Sequence, residues 1–274
     1  MKILIIGRKS RISLSLIKYF RKNFYTYVKN YKEIENKKSI FFNKFDYIIN
    51  CSSNKSYIEK KYKSKNDYDY QIAKKIISSE VKQIFLSSRK IYLAKNNIKE
   101  TDKKKPLCNY SKNKLLTEKR LIDILKDRVL ILRISNLIGY DKILSKRKLH
   151  KTFIDVFFEN IQKGYILKNK ELYKDFISAK KFTKIIEKLI LKNASGIFNV
   201  SAGKKIYLDN IIRWLNYHNP KKVKVIDNKL IKKNKVCFYL NNKKLLNFTK
   251  IKISLSELEN ECKKISKTYF KYRY

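Results

Sequence analysis

Four short apolar runs, each leading to glycine or small polar residues, constrain what this 274-residue chain can become. Ile3 to Ile6 is an unbroken aliphatic run that meets Gly7. Tyr47-Ile48-Ile49 ends in Asn50-Cys51-Ser52, and Ile84-Phe85-Leu86 ends in Ser87-Ser88. Val129-Leu130-Ile131-Leu132 leads on to Ser135-Asn136 and Gly139. Runs of this kind read as buried strands. Between them, apolar residues fall at helical spacing: Leu14, Leu16, Ile17 and Phe20, then Ile72, Ala73, Ile76 and Ile77, then Leu115, Leu116, Leu121, Ile122 and Leu125.

A strand, a glycine turn and a helix at the extreme N-terminus is where a dinucleotide-binding fold places its pyrophosphate loop. Here the turn reads Gly7-Arg8-Lys9-Ser10-Arg11-Ile12-Ser13. A Cβ at Ser10 is expected to obstruct close backbone approach to a ligand, and one at Ser13 to obstruct helix–strand packing. Arg8, Lys9 and Arg11 offset part of that loss by charge. Phe24 to Val28 is a candidate second strand with no acidic residue at its end, where an NAD enzyme grips the adenosine ribose. Lys29 and Lys32 stand nearby instead, which leans towards NADP or leaves the choice open. The span on to Asp46 is short, so the usual third strand and its helix look trimmed.

The third apolar run opens the most informative stretch, Val81 to Glu118. A polar loop after Ser88 closes at Pro106, and Tyr110-Ser-Lys-Asn-Lys114 begins a helical pattern. Tyr110 and Lys114 are four apart and share a helix face. A phenol beside an ammonium can serve as acid or base near neutral pH, because the positive charge favours the phenolate. The spacing alone is unspecific: Tyr25/Lys29, Tyr57/Lys61, Tyr70/Lys74, Tyr217/Lys221 and Tyr239/Lys243 repeat it. The setting of Tyr110 separates it from those pairs.

That setting resembles the NAD-dependent epimerase/dehydratase family, the extended short-chain dehydrogenase/reductases that modify nucleotide sugars. The matching residues are Ser87-Ser88-Arg89-Lys90-Ile91-Tyr92, Glu100, Pro106, Tyr110, Lys114 and Glu118, with Leu93 where the family has glycine. The segment ending at Ser52 resembles the family strand whose end lies against the cofactor. Leu132-Arg133-Ile134-Ser135-Asn136 with Gly139 resembles Leu-Arg-x-x-Asn-x-x-Gly, Asp175-Phe176-Ile177 the returning segment, Gly196 to Val200 the strand Gly-x-Tyr-Asn-Val, and Leu240 to Phe248 the C-terminal signature.

The resemblance implies a doubly wound parallel α/β sheet of Rossmann type with a small C-terminal substrate domain. Residues 1–140 would bind NAD(P), with a returning segment around 172–203, and 141–274 would form the smaller substrate-binding part. It implies Ser88, Tyr110 and Lys114 as catalytic groups. Gly7, Ser10, Arg11, Ile12, Ser52, Ser87, Tyr110, Lys114 and Ser135 would contact NAD or NADP, and Ser88 and Asn136 the sugar nucleotide. Asn136 reads equally well as a turn residue. A dehydratase usually carries an acidic pair after the Ser88 position. Arg89-Lys90 stand there, which leaves reductase or epimerase, with a role in surface polysaccharide synthesis. Pairing of two copies through the Tyr110 helix and the one before it is implied too.

Beyond Asp141 the pattern predicts helices over Phe153–Ile161, Phe182–Leu191, Tyr207–Leu215 and Ser254–Ser266, and short strands over Lys222–Ile226 and Val236–Leu240. The net charge of +44 admits a polyanion partner. However, 5 Gly and 2 Pro against 20 Tyr and 15 Phe, with lysine far above arginine, follow an A/T-rich codon bias. The charge also runs along the whole chain. No specific nucleic-acid partner is therefore expected. Cys51, Cys108, Cys237 and Cys262 are isolated and far from His150 and His218, which argues against a metal site and for reduced thiols in the cytoplasm. No stretch is apolar enough for a membrane span. A second reading keeps the fold as a weak or inactive binding or scaffold protein, possible RNA contact included.

Overall fold

The computed structural model describes residues 1–139, 152–168, 170–227 and 236–271. Six strands form one wholly parallel sheet: β1 (Lys2–Ile6), β2 (Tyr25–Lys29), β3 (Tyr47–Asn50), β4 (Lys82–Ser88), β5 (Val129–Ile134) and, after four short strands outside it, β10 (Gly196–Val200). Their spatial order is β10-β5-β4-β3-β1-β2. The chain steps outward from β1 to β2 and then returns to β3 on the other side of β1. The trimmed span between β2 and β3 holds a 3-10 turn and the four-residue helix α2 (Ser39–Phe42).

Alternation along each strand explains both layers. Ile3 and Ile5 of β1 face a core with Leu16, Phe20, Phe182, Ile186 and Leu189. Leu4 and Ile6 face an opposite core with Ile72, Ile76, Leu121 and Leu125. The first core lies under α1 (Arg11–Phe20) and α7 (Ala179–Leu191). The second lies under α4 (Tyr68–Lys75) and α5 (Asn109–Leu125), which also packs on the short α3 (Lys55–Glu59). Every residue of β3 and β5 is buried.

A further core is built by α6 (Phe153–Gln162), α8 (Leu208–Leu215) and α10 (Leu255–Lys271) around Phe158, Ile211, Trp214, Cys262 and Tyr269. Thr152 and Asp155 cap α6 reciprocally. The helices are edged by short ladders. β6 (Asn136–Ile138) pairs with β9 (Phe176–Ser178), β7 (Tyr165–Lys168) with β12 (Lys224–Asp227), and β8 (Tyr173–Lys174) with β11 (Ile206–Tyr207). Leu245 of α9 (Lys243–Thr249) returns to the sheet face. The expected strand over 236–240 is only a single bridge, Leu240 to Ile98. Phe238 and Leu240 are fully buried against Ile91, Tyr92 and Ile98, so side-chain packing and not a ladder holds that segment.

Candidate functional site

The crossing from β1 outward to β2 and back to β3 makes the carboxyl ends of β1 and β3 a topological switch point, where open α/β sheets bind ligands in a crevice. Gly7 forms its floor at φ +105°. A Cβ there would lie 3.0 Å from the Ser52 backbone nitrogen, so the position needs glycine on both counts. Ser10 precedes α1 in extended conformation, with no side-chain cap bond. The N-terminus of α1 opens at that turn, and a helix N-terminus favours an anion.

Ser13 does not obstruct the packing as expected. It is fully buried, and its hydroxyl donates to the carbonyls of Gly7 and, at 2.8 Å, Ser10. The side chain is stitched into the turn it would otherwise have pushed apart. Arg11 extends to α6, where its guanidinium makes two bonds of 3.1 and 3.0 Å to Asp155. Ile12 packs on the sheet core. An acidic residue does stand near the end of β2: Glu33 folds back to Arg8 at 3.0 Å and Lys29 at 3.6 Å. Hydrogen bonding from the Asn30 N–H, then those cations, hold its carboxyl below the usual range. The Ser52 hydroxyl donates to Asn50 Oδ1 at 2.8 Å. At the end of β5, Ser135 Oγ is shielded from solvent with no protein partner.

The end of β4 and the start of α5 bring Ser88, Tyr110 and Lys114 to one region. Lys114 is 6% exposed and donates to the Leu86 carbonyl at 2.8 Å. Its ammonium sits 4.4 Å from the Phe85 ring centroid and 5.9 Å from that of Tyr110. Tyr110 is half-buried at the first turn of α5. Ser88 caps the 3-10 turn Arg89–Ile91 by accepting the Lys90 N–H at 3.2 Å. The Lys90 ammonium in turn lies 5.8 Å from the Tyr110 ring centroid.

Ser87 points to the opposite face and donates to Glu118 at 2.5 Å. Glu118 also receives the buried Arg133 guanidinium at 2.7 Å, and Arg133 donates to Tyr92 Oη at 2.6 Å and to the Glu100 carbonyl. Ser87 is thus held in a polar core beneath the site. Asn136 Nδ2 donates to the Asp175 carbonyl at 2.8 Å and ties β6 to the chain before β9.

Sequence reasoning missed Asp69. It accepts from Asn50 at 2.9 Å and Gln83, and burial pushes its carboxyl up to about 7 against the opposing field of Lys114. It missed the Glu118–Arg133 pair as well. An arginine inside the run VLILRI was the available signal, since a buried cation needs a partner. Asp175 is likewise pushed up to about 7 by burial, although the N–H groups of Ala202, Gly203 and Leu240 bond to it. Among the described residues, no cluster of His, Cys, Asp or Glu is arranged to hold a metal ion.

No protein-family model matches the chain, and no curated protein matches it in sequence. Solved structures do match in shape. A UDP-N-acetylglucosamine 4-epimerase from Methanobrevibacter ruminantium, in complex with UDP-N-acetylmuramic acid, is 17% identical with a TM-score of 0.81, over 99% of this chain and 98% of that one. A dTDP-4-dehydrorhamnose reductase from Clostridium acetobutylicum is 17% identical at TM-score 0.77, over 98% and 99%. A UDP-glucuronic acid 4-epimerase from Bacillus cereus, in complex with NAD, is 15% identical at TM-score 0.75, over 99% and 98%. At these identities the likeness establishes the fold: the described residues share the Rossmann-type architecture of those proteins.

Proposed function

We propose that the chain is an NAD(P)-dependent enzyme of the extended short-chain dehydrogenase/reductase type that acts on a nucleotide-activated sugar as an epimerase or keto-reductase. The observation that carries this reading is Lys114, buried 5.9 Å from the Tyr110 ring centroid and anchored to the Leu86 carbonyl of β4, two residues before Ser88. The three solved structures of the same fold act on, or are bound to, nucleotide sugars or NAD by their own descriptions, which supports it.

The crevice suits a dinucleotide. Gly7 lets the chain turn against the Ser52 backbone, which a Cβ would meet at 3.0 Å, the start of α1 favours an anion such as a pyrophosphate, and the Ser135 hydroxyl, with no protein partner, offers a polar contact. Ser10 and Ile12 would contribute backbone, Ser52 the wall beside Gly7, and Lys114 an ammonium with donors beyond the one given to Leu86. When bound, the cofactor supplies hydride transfer to and from a sugar carbon. Tyr110 moves the proton on the oxygen of that carbon, and Ser88 holds the same oxygen by hydrogen bond. Lys114 brings its amine to 5.9 Å from the phenol ring centroid. Its nitrogen lies 4.4 Å from the Phe85 ring centroid and 5.7 Å from that of Tyr57, which keeps water from the amine. The Glu118–Arg133 pair fixes α5 to β5 and so fixes the height of Tyr110 over the sheet end. Pairing of two copies through α4 and α5 belongs to the same reading, as does a role in surface polysaccharide synthesis.

Tyr110→Phe removes only the phenolic oxygen. The expected result is a loss of turnover of about a hundredfold or more, with NADH or NADPH fluorescence titration unchanged. Turnover equal to wild type in that variant removes Tyr110 from its role. No cofactor binding by either protein at millimolar concentration favours the scaffold reading.

A further inference from the structure

We propose that Arg89 and Lys174, backed by Lys90, form a seat for an anionic group on the sugar itself, so that the substrate is a nucleotide sugar whose ring carries a carboxylate. The inference rests on the nucleotide-sugar reading above and narrows its substrate class.

Arg89 follows Ser88 directly, and the 3-10 turn that Ser88 caps lays its guanidinium 3.8 Å from the ring centroid of Phe238, a fully buried residue. One face of the guanidinium is therefore closed to water while its edge keeps five donors. Lys174 on β8 is half-buried, and its neighbour Asp175 accepts the Leu240 N–H, two residues on from Phe238. Burial pulls Arg89 down to about 10. Burial also pulls Lys174 down, and the fields of Arg89 and Lys90 add to that. Lys90 lies 5.8 Å from the Tyr110 ring centroid, and Arg89 is its neighbour in the same 3-10 turn.

Among the described residues, none of the three has a carboxylate partner. The other shielded guanidiniums are bonded, whereas that of Arg89 has no hydrogen-bond partner among those residues: Arg133 holds Glu118 at 2.7 Å, Arg11 holds Asp155 at 3.0 Å, Arg128 donates to the carbonyls of Ile76, Ile77 and Ser79, and Arg120 to Tyr62 Oη at 3.3 Å. Asp175 follows Lys174 in sequence, but its carboxylate is turned to the backbone of Ala202, Gly203 and Leu240. Desolvating cations without counter-charge is unfavourable, and such groups gather where a ligand supplies the charge. A flat guanidinium edge fits a carboxylate through two parallel bonds. The placement favours the sugar over its diphosphate, because Lys90 lies on the Tyr110 ring and Arg89 adjoins Ser88, the groups assigned to the reacting carbon.

The test is calorimetric titration of cofactor-loaded protein with UDP-glucuronate and UDP-glucose, and with the corresponding dTDP sugars. Each pair differs only in the carboxylate. Wild type is expected to bind the acid about ten- to a hundredfold more tightly. Arg89→Gln and Lys174→Met each should pull that ratio towards one, with Arg89→Lys in between. Equal affinity of wild type for both sugars overturns the proposal, as does a variant that weakens both sugars equally, which marks a diphosphate seat. If cofactor binds and no nucleotide sugar does, the functional reading itself falls. Should the variants not fold, the wild-type ratio alone decides.

Discussion

Ser13 shows how one side chain can reverse an expectation drawn from residue type. Glycine suits a helix packed tightly on a strand, yet the serine hydroxyl found two carbonyls to bind, and the turn closed around it. Asp69 is the residue whose titration has a consequence for stability. Its folded value near 7 lies above the unfolded carboxylate value, so the native state binds the extra proton between about pH 4 and pH 7. Its contribution is complete at low pH and is lost as pH rises through 7, by up to about 1.4 kcal/mol per pH unit within that window. Urea unfolding of wild type and Asp69→Asn at a series of pH values should show wild type losing stability relative to the variant as pH rises from 4 to 7. A constant difference across that range would place Asp69 outside this account.

Helix α5 carries both Tyr110 and Lys114 at its first turns and Glu118 one turn on, so the reacting end and its anchor are one rigid element. The anchor is the buried pair with Arg133 of β5, joined by Ser87 and Tyr92. Removing one member leaves an uncompensated charge. Glu118→Leu is expected to cost about 3–5 kcal/mol, and adding Arg133→Leu should restore much of it. Chemical denaturation of the two single variants and the double variant measures the coupling. Additive losses would mean that the pair does not act as a unit. The α5 register was readable beforehand, because Tyr110, Lys114 and Glu118 recur every four residues. The pairing of Glu118 with Arg133 was not, since fifteen residues and a strand reversal separate them.

At the scale of the whole molecule, 67 Lys and Arg face 23 Asp and Glu, and the few acids are concentrated in local pairs. Self-repulsion of the remaining charge opposes compaction and is screened by salt. Raising NaCl from about 10 mM to about 500 mM, far beyond the salt at which the screening length is ~10 Å, should therefore raise the thermal midpoint. A fall would show that the charge is already neutralised within the fold. Among the described residues, no helix is long and apolar enough to cross a membrane. The apolar runs, their small polar endings and the helical spacing between them marked by themselves the strands β1, β3, β4 and β5 and the Tyr110–Lys114 face, because period and run length act locally; the parallel doubly wound arrangement was implied by the motif resemblance. Only tertiary structure decided that Arg11 reaches Asp155, that Asn136 clasps the Asp175 backbone, that Asp69 is buried against Asn50 and Gln83, and that Arg89 stacks on Phe238. Those outcomes depend on which distant side chains share one desolvated volume, and no spacing along the chain encodes that.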